Sequence, residues 1–405
     1  LTTQAVSTNE LTAEAQIDVP VGQIYYAFST RSGWAEWFAE KGFGHVEPGS
    51  ILEIYHETAG KFAIIFQEMV PDERVELAFL NLKTLHASEV EILLAESGQG
   101  TGVSITHRRL EDEEYDRFKD LWQDGLLTLK VMMEKAEDPR IWGRPFLGVT
   151  VDDWVTPEIA KEKNLSTDSG MRLSNVFDGK GAEQAGIQGG DVIVSLAGTP
   201  LVDYESLKSV FAQHRAGDTV DVEYFHDEEL KKSRLTLSEY PVPEVPGTAQ
   251  DIAEKLAHFY TKVNTAIERL LEDKLEAQTE YRPAAGEWNA KEIIAHLIAS
   301  EVDTISWMGS YIVGKEEYIY ISATPARIKS LLAAYPTIEA LMDQLRRTQQ
   351  ELVALISEVP ADVVSRKSSL IRLAMSYSLS ITLHYKDHLS QLKSTLEAAA
   401  DIGGS

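Results

Sequence analysis

The chain has 405 residues, room for two to four domains at roughly 100–200 residues each. Its net charge of −26 is spread along the chain, about −13 over residues 1–140, −7 over 141–240 and −6 over 241–405, which argues against nucleic acid or an anionic membrane surface as partner. There is no cysteine, so disulfides, thiol catalysis and thiolate metal sites are excluded.

The opening ten residues carry neither the basic region nor the apolar core of a secretory leader, and no later run approaches the roughly 20 apolar residues that span a bilayer. The expected compartment is the cytoplasm. Residues 12–19 alternate, with Ala13, Ala15, Ile17 and Val19 on one face and Thr12, Glu14, Gln16 and Asp18 on the other, which predicts a half-buried strand. Pro20 starts a helical pattern in which Ile24, Ala27 and Phe28 share a side, with Trp34, Trp37 and Phe38 following. Strands are predicted at 51–55, 61–68, 74–80, 88–94 and 102–108. An amphipathic helix over about 113–136 then presents Phe118, Leu121, Trp122, Leu126, Leu129 and Met133 at helical spacing.

The stretch AEAQIDVPVGQIYYAFSTRSGWAEWFA, the later TGVSITHRRL and a terminal helix with Trp122 resemble the Hsp90-ATPase-activator-like branch of the START/Bet v 1 (SRPBCC) fold. The resemblance implies residues 1–140 as an α+β helix-grip domain, its last helix lying across a curved sheet over a cavity for a small hydrophobic ligand. Tyr25, Phe28, Trp34, Trp37, Phe66, Phe79 and Trp122 would line such a cavity or fill a plain core. His45, His56, His86 and His107 have no metal spacing and read as surface or core residues.

Residues 137–143 form a first linker, and the next module covers 141–240. At its centre GAEQAGIQGGDVIVSLAG, residues 181–198, is a short Ala-rich turn, a Gly-Gly turn and an alternating strand. This resembles the PDZ domain attached to bacterial high-temperature-requirement and C-terminal-processing proteases, a mostly-β fold that takes a peptide C-terminus. On that resemblance Phe146, Leu147, Gly148 and Val149 form the carboxylate loop and first groove strand. The helix 203–213, with Leu207 and Phe211 shaping the pocket for the last side chain, forms the other wall. The acidic run Asp227-Glu228-Glu229 is predicted in a hairpin turn, and no Gly-x-Ser-x-Gly nucleophile elbow accompanies the module.

Three prolines in YPVPEVPG mark residues 241–248 as an extended, semi-rigid linker that holds the last module at a distance. Residues 249–405 change texture to helices at about 249–273, 288–311, 336–357 and 371–397, an all-α four-helix bundle. His384 and His388, four apart, stack on one helical face, and a third histidine from another helix completes a three-nitrogen face for a divalent metal. Trp-x7-His-Leu (Trp288, His296) with His-x3-His-x2-Gln (His384, His388, Gln391) resembles the DinB/YfiT family. That resemblance implies Zn or Ni on His296, His384 and His388 and, in some members, thiol-dependent transferase or isomerase chemistry. Glu292 shares the helical face of His296 and is expected to support it by hydrogen bonding. Glu301 does not share that face, and His258 reads as unrelated. Two readings follow: a multidomain binding or adaptor protein, or a metal-dependent enzyme of the DinB/YfiT type.

Overall fold

Alternation decides the first strand. In β1 (Asn9–Ile17) Leu11, Ala13 and Ile17 are buried, while Thr12, Glu14 and Gln16 face solvent. The computed structural model describes residues 9–39, 41–56, 60–98, 100–242, 244–284, 286–316 and 324–400. Helices α1 (Val21–Ser29) and α2 (Arg31–Trp37) follow β1, then strands β2 (Lys41–Gly44), β3 (Ile51–His56), β4 (Gly60–Val70), β5 (Arg74–Asn81), β6 (Ala87–Ser97) and β7 (Gly100–Leu110). They form one antiparallel sheet in the order β1-β7-β6-β5-β4-β3-β2, and α3 (Asp112–Lys135) closes it with Phe118, Trp122, Leu126 and Leu129 buried. This is the expected α+β order. The short edge strand β2 is an addition that four residues, two of them glycine, do not announce.

The second stretch gives β8 (Pro145–Phe146), β9 (Val149–Val155), α4 (Pro157–Glu162), β10 (Gly170–Val176), α5 (Gly181–Gln184), β11 (Val192–Leu196), β12 (Thr199–Pro200), α6 (Tyr204–Gln213), β13 (Thr219–His226), β14 (Glu229–Thr236) and β15 (Ser238–Glu239). The main sheet runs β14-β13-β11-β10-β9, which leaves β9 at its edge. Asp203 caps α6 by accepting from the Ser206 N–H at 2.8 Å. Asp227 and Glu228 make the β13–β14 turn, Asp227 at φ 53.

The last stretch is helical: α7 (Ala249–Leu271), α8 (Glu276–Thr279), α9 (Ala290–Ile312), α10 (Pro325–Ala334), α11 (Ile338–Ser357), α12 (Ala361–Ser365), α13 (Lys367–Met375), a π-helical turn (Ser376–Ile381) and α14 (Thr382–Ala398). The long helices α7, α9, α11 and α14 share one core that includes Leu256, Ile294, Leu345, Leu352 and Leu392. The fourth expected helix therefore starts four residues early and is interrupted, and α8, α10 and α12 are short additions. In the Pro-rich linker, residue 243 lies outside the described residues. Glu244 pairs with Lys255 at 2.7 Å and Val245 packs on the bundle core.

The protein divides into two compact units: Leu1–Asp138 with Pro243–Ser405, and Pro139–Val242. The expectation that a linker keeps the last module at a distance is corrected for the first module, because the two are one unit. The reason lies in α2, where every residue is buried. Trp34 and Trp37 enter the first module's aromatic core, while Arg31, Ser32 and Glu36 face the bundle. Glu36 accepts from the Tyr311 hydroxyl at 2.5 Å and from Ser369 Oγ at 3.0 Å. The Glu316 N–H donates to Ser32 Oγ at 3.1 Å, Arg31 donates to the Lys315 carbonyl, and the Arg366 guanidinium lies 3.6 Å over the Tyr26 ring. Burial holds the Glu36 carboxyl above its ordinary pKa, and these donors oppose the rise. Tyr311→Phe removes one donor from this buried carboxyl. We expect a loss of about 1–3 kcal/mol of stability, read from urea midpoints at constant m value.

Candidate metal centre and peptide groove

Asn289 opens α9 as its N-cap, accepting from the Glu292 N–H at 2.9 Å, and the helix then carries His296 two turns in, 7% exposed. Helix α14 brings His384 and His388 to the same place on successive turns. The ring centroids lie 5.0 Å (His296–His384), 4.6 Å (His296–His388) and 4.6 Å (His384–His388) apart, and one nitrogen from each ring lies within 4.8 Å of the others. His296 Nε2 and His384 Nε2 are 2.8 Å apart. Two nitrogens on one ion at about 2.0–2.1 Å would sit roughly 3 Å apart, so the donor set fits a divalent cation with little movement.

The surroundings fix which nitrogens face inward. His388 Nδ1 donates to Gln391 Oε1 at 2.8 Å, which leaves Nε2 with its lone pair for the site. Ser300 Oγ lies 3.5 Å from His384 Nδ1. Trp288 packs on His296 (4.8 Å) and stacks on His388 (6.0 Å), so the Trp of the sequence motif walls the site. Burial, then the neighbouring His388 and His296, lowers His384 to a pKa of about 3. Burial lowers His388 as well, against Gln391 and Asp387. Burial thus favours the neutral imidazole at both, the protonation state a metal requires.

Glu292 does not do what was expected of it. Its carboxylate accepts from the Asn289 N–H at 2.9 Å and pairs with Arg282 at 2.5 Å, so it completes the capping box of α9 instead of supporting His296. The buried acid of α9 is Glu301, 2% exposed, accepting from the hydroxyls of Tyr260 and Tyr385, each at 2.7 Å. Tyr385 in turn accepts from Gln349 at 2.9 Å, and Gln349 exchanges hydrogen bonds with Asn264. The network therefore ties α7, α9, α11 and α14 together. Burial raises Glu301 to a pKa of about 7 against the two tyrosine donors. The sequence signal for it is an acid inside the apolar repeat Ile294, Leu297, Ile298, Ile305 and Met308. A second group of ligand-type atoms, His86, Glu111 and Glu114, is dominated by one carboxylate already engaged by His86 (3.1 Å), Asn81 (3.0 Å) and Arg117 (3.4 Å).

In the middle domain Leu147 and Leu207 are buried in one cluster, with Val149 and Phe211 half-exposed against it. Gly148 sits at φ +87, and a Cβ there would meet Lys180 Cβ at 2.3 Å, so glycine is required. Its carbonyl accepts from the Phe177 N–H at 2.8 Å, and the Leu147 carbonyl from the Ala182 N–H at 2.9 Å, which pins the loop beside β9, an edge strand that pairs on one side among the described residues. Phe146 is elsewhere, packed with Phe177 and Tyr240.

In the first domain Phe28, Trp37, Phe66, Phe79 and Trp122 are at most 1% exposed, whereas Tyr25 is half-exposed and feels Asp72. Phe28 meets Trp37 at 5.1 Å, Phe79 meets Trp122 at 5.5 Å, and Phe38 stacks on Trp122 at 5.2 Å, so these rings pack on one another. His107 is buried among them. It accepts from Trp122 Nε1 at Nδ1 (3.1 Å) and donates from Nε2 to Ser88 Oγ (2.7 Å).

Residues 18–134 match the family model for activator of Hsp90 ATPase homolog 1-like proteins, 145–237 that for PDZ domains and 260–377 that for the DinB superfamily. The chain thus joins an SRPBCC-like domain, a PDZ domain and a DinB-like helical bundle, in that order. The third match includes His296 and ends before His384 and His388. A Marinomonas protein described as a probable periplasmic serine endoprotease DegP-like is 26% identical over 138 residues, 34% of this chain and 29% of that protein. The Escherichia coli periplasmic pH-dependent serine endoprotease DegQ is 36% identical over 77 residues, 19% of this chain and 17% of that protein. The chain therefore spans under a third of these relatives. Among solved structures, CalU16 from Micromonospora echinospora is 19% identical and covers 33% of this chain and 79% of its own, with a TM-score of 0.29. The Aha1 dimer from Colwellia psychrerythraea is 18% identical and covers 31% and 97%, with a TM-score of 0.28. No helix among the described residues is long and apolar enough to cross a membrane.

Burial lowers His107 to a pKa of about 3, so the folded chain stays neutral there while the unfolded chain takes up a proton near pH 6.5. Its contribution is therefore present above pH 6.5 and lost as pH falls toward 3, by at most about 1.4 kcal/mol per pH unit. We expect His107→Gln to flatten the fall of the urea midpoint between pH 6.5 and pH 5, at the cost of a lower midpoint at pH 7.

Proposed function

We propose that this chain is a binding protein that holds a divalent metal ion, Zn or Ni, on His296, His384 and His388, and that its PDZ domain takes a peptide C-terminus. The observation that carries the reading is the convergence of three imidazole nitrogens from two helices within 4.8 Å. Support comes from Gln391, which orients His388, from the lowered pKa of His384 and His388, and from Trp288, which shields one side. For the peptide, the free edge of β9 offers backbone groups for strand addition, and Leu207 and Phe211 offer an apolar wall. A small apolar ligand in the first domain would have to part rings that now touch, such as Phe79 and Trp122.

One observation favours a second reading, a metal-dependent enzyme such as a thiol-dependent transferase or isomerase. Glu301 follows Ser300, which reaches His384, and its buried carboxyl is poised near neutrality. A bound divalent ion would supply Lewis acidity and hold a thiol as thiolate there. The protein's own part would be Glu301 holding or releasing a proton between Tyr260 and Tyr385.

Calorimetric titration with Zn and Ni tests the metal, and a library of peptide C-termini tests the groove. We expect about one ion per chain, lost in His384→Ala/His388→Ala. We expect peptide capture to be lost in Gly148→Ala, which strains φ and strikes Lys180, with metal binding unchanged. No heat with either ion would remove the metal. Equal capture by wild type and Gly148→Ala would remove the groove, and turnover of a low-molecular-weight thiol would favour the enzyme.

A further inference from the structure

The final helical run is a single rod with a change of pitch inside it. Helix α13, the π turn and α14 follow without a break from Lys367 to Ala398. The first part is held by contacts that reach the first domain. Ser369 Oγ donates to Glu36 at 3.0 Å, Ser368 Oγ lies 3.6 Å from Met133 Sδ, and Arg372 pairs at 2.5 Å with Glu316, whose N–H donates to Ser32. The last part carries His384 and His388.

The run between them is rich in hydroxyls. In Ser376-Tyr-Ser-Leu-Ser-Ile-Thr382 the hydroxyls compete for helix carbonyls: Ser378 Oγ donates to the Ala374 carbonyl at 2.7 Å, and Thr382 Oγ1 to the Ser378 carbonyl. The backbone N–H groups of the same run reach one residue further back, which is the π pattern, and the two hydroxyl bonds brace it at each end. A π turn accommodates one extra residue, about 100° of helical rotation.

That rotation has a consequence for phase. In an uninterrupted α-helix Tyr385, Leu392 and Leu396 would lie about 120°, 100° and 140° around from Leu373; the extra residue brings them to about 20°, 0° and 40°. All four are buried. His384, about 60° from Ser369 without the turn, moves to about −40°, and His388 moves from about 100° to about 0°.

We propose that the π turn Ser376–Ile381 is the positioning element of the metal site, setting the rotation that aims His384 and His388 at His296 while α13 stays fixed on the first domain. The inference rests on the metal reading above. Its test is a Co(II) titration of the full chain, followed by the visible absorption of the bound ion, on wild type, a variant lacking Ser380, and Ser378→Ala/Thr382→Val. Deletion of Ser380 restores α pitch, and we expect affinity at least about tenfold weaker with an altered spectrum; for the double substitution we expect about threefold or more. A role confined to packing would lower the melting midpoint and leave affinity and spectrum untouched. Folded deletion protein that binds Co(II) within about twofold of wild type, with the same spectrum, would therefore overturn the proposal. If the deletion variant does not fold, the double substitution decides by the same criterion. Failure of the wild type itself to bind Co(II) would show first in the parent protein, and would remove the metal reading and this inference with it.

Discussion

A carboxylate cannot be taken out of water without donors, and the placing of Glu36 is the constraint on which the larger unit depends. Its helix is seven residues long and buried throughout, with tryptophans on one side and Arg31, Ser32 and Glu36 on the other. The donors that satisfy Glu36 come from the far end of the chain, Tyr311 on α9 and Ser369 on α13. Two stretches separated by a whole PDZ domain are thereby made one body. Removing the bundle would strip Glu36 of the Tyr311 and Ser369 hydroxyls and uncover the face of α2 that carries Arg31, Ser32 and Glu36.

The same docking fixes the elements that carry the histidines. Helix α9 holds Tyr311 near one end and His296 near the other, and α13 runs through the π turn into the helix of His384 and His388. Inside the bundle the polar network of Tyr260, Glu301, Tyr385 and Gln349 ties all four long helices together by hydrogen bonds that an apolar core would lack. Such networks specify one arrangement when their groups are satisfied. Glu301 Oε2 has no hydrogen-bond partner among the described residues, which leaves the network one site short. The PDZ domain needs none of this, having its own core and its own free sheet edge.

Local pattern made much of this legible. Period-two alternation located β1, glycine-punctuated runs located five more strands of the first sheet, and three- and four-residue spacing located α3 and the long helices. A His pair four apart with Trp288 eight before His296 located the cluster. The residues that escaped are those whose role depends on a distant partner. Glu36 in Trp-Ala-Glu-Trp looks like an exposed acid on an amphipathic helix until a second domain covers it. Glu292 has the helical phase to reach His296, but capping competes for its carboxylate, and the cap lies three residues away while the histidine is a full turn on. Helical phase keeps Glu301 off the His296 face, and its place in an apolar repeat is the better signal of its burial. The π turn is invisible to a period-3.6 reading because it breaks that period; the hydroxyl-rich Ser-Tyr-Ser-Leu-Ser-Ile-Thr run is its only local trace.

We propose that His296, His384 and His388 bind one divalent ion through ring nitrogens. X-ray absorption at the metal edge of the Zn-loaded full chain tests it most directly. We expect three imidazole nitrogens at about 2.0–2.1 Å, with the outer-shell scattering that imidazole rings give, and loss of that scattering in His296→Ala. Zinc surrounded by oxygen alone, or scattering unchanged by that substitution, would contradict it.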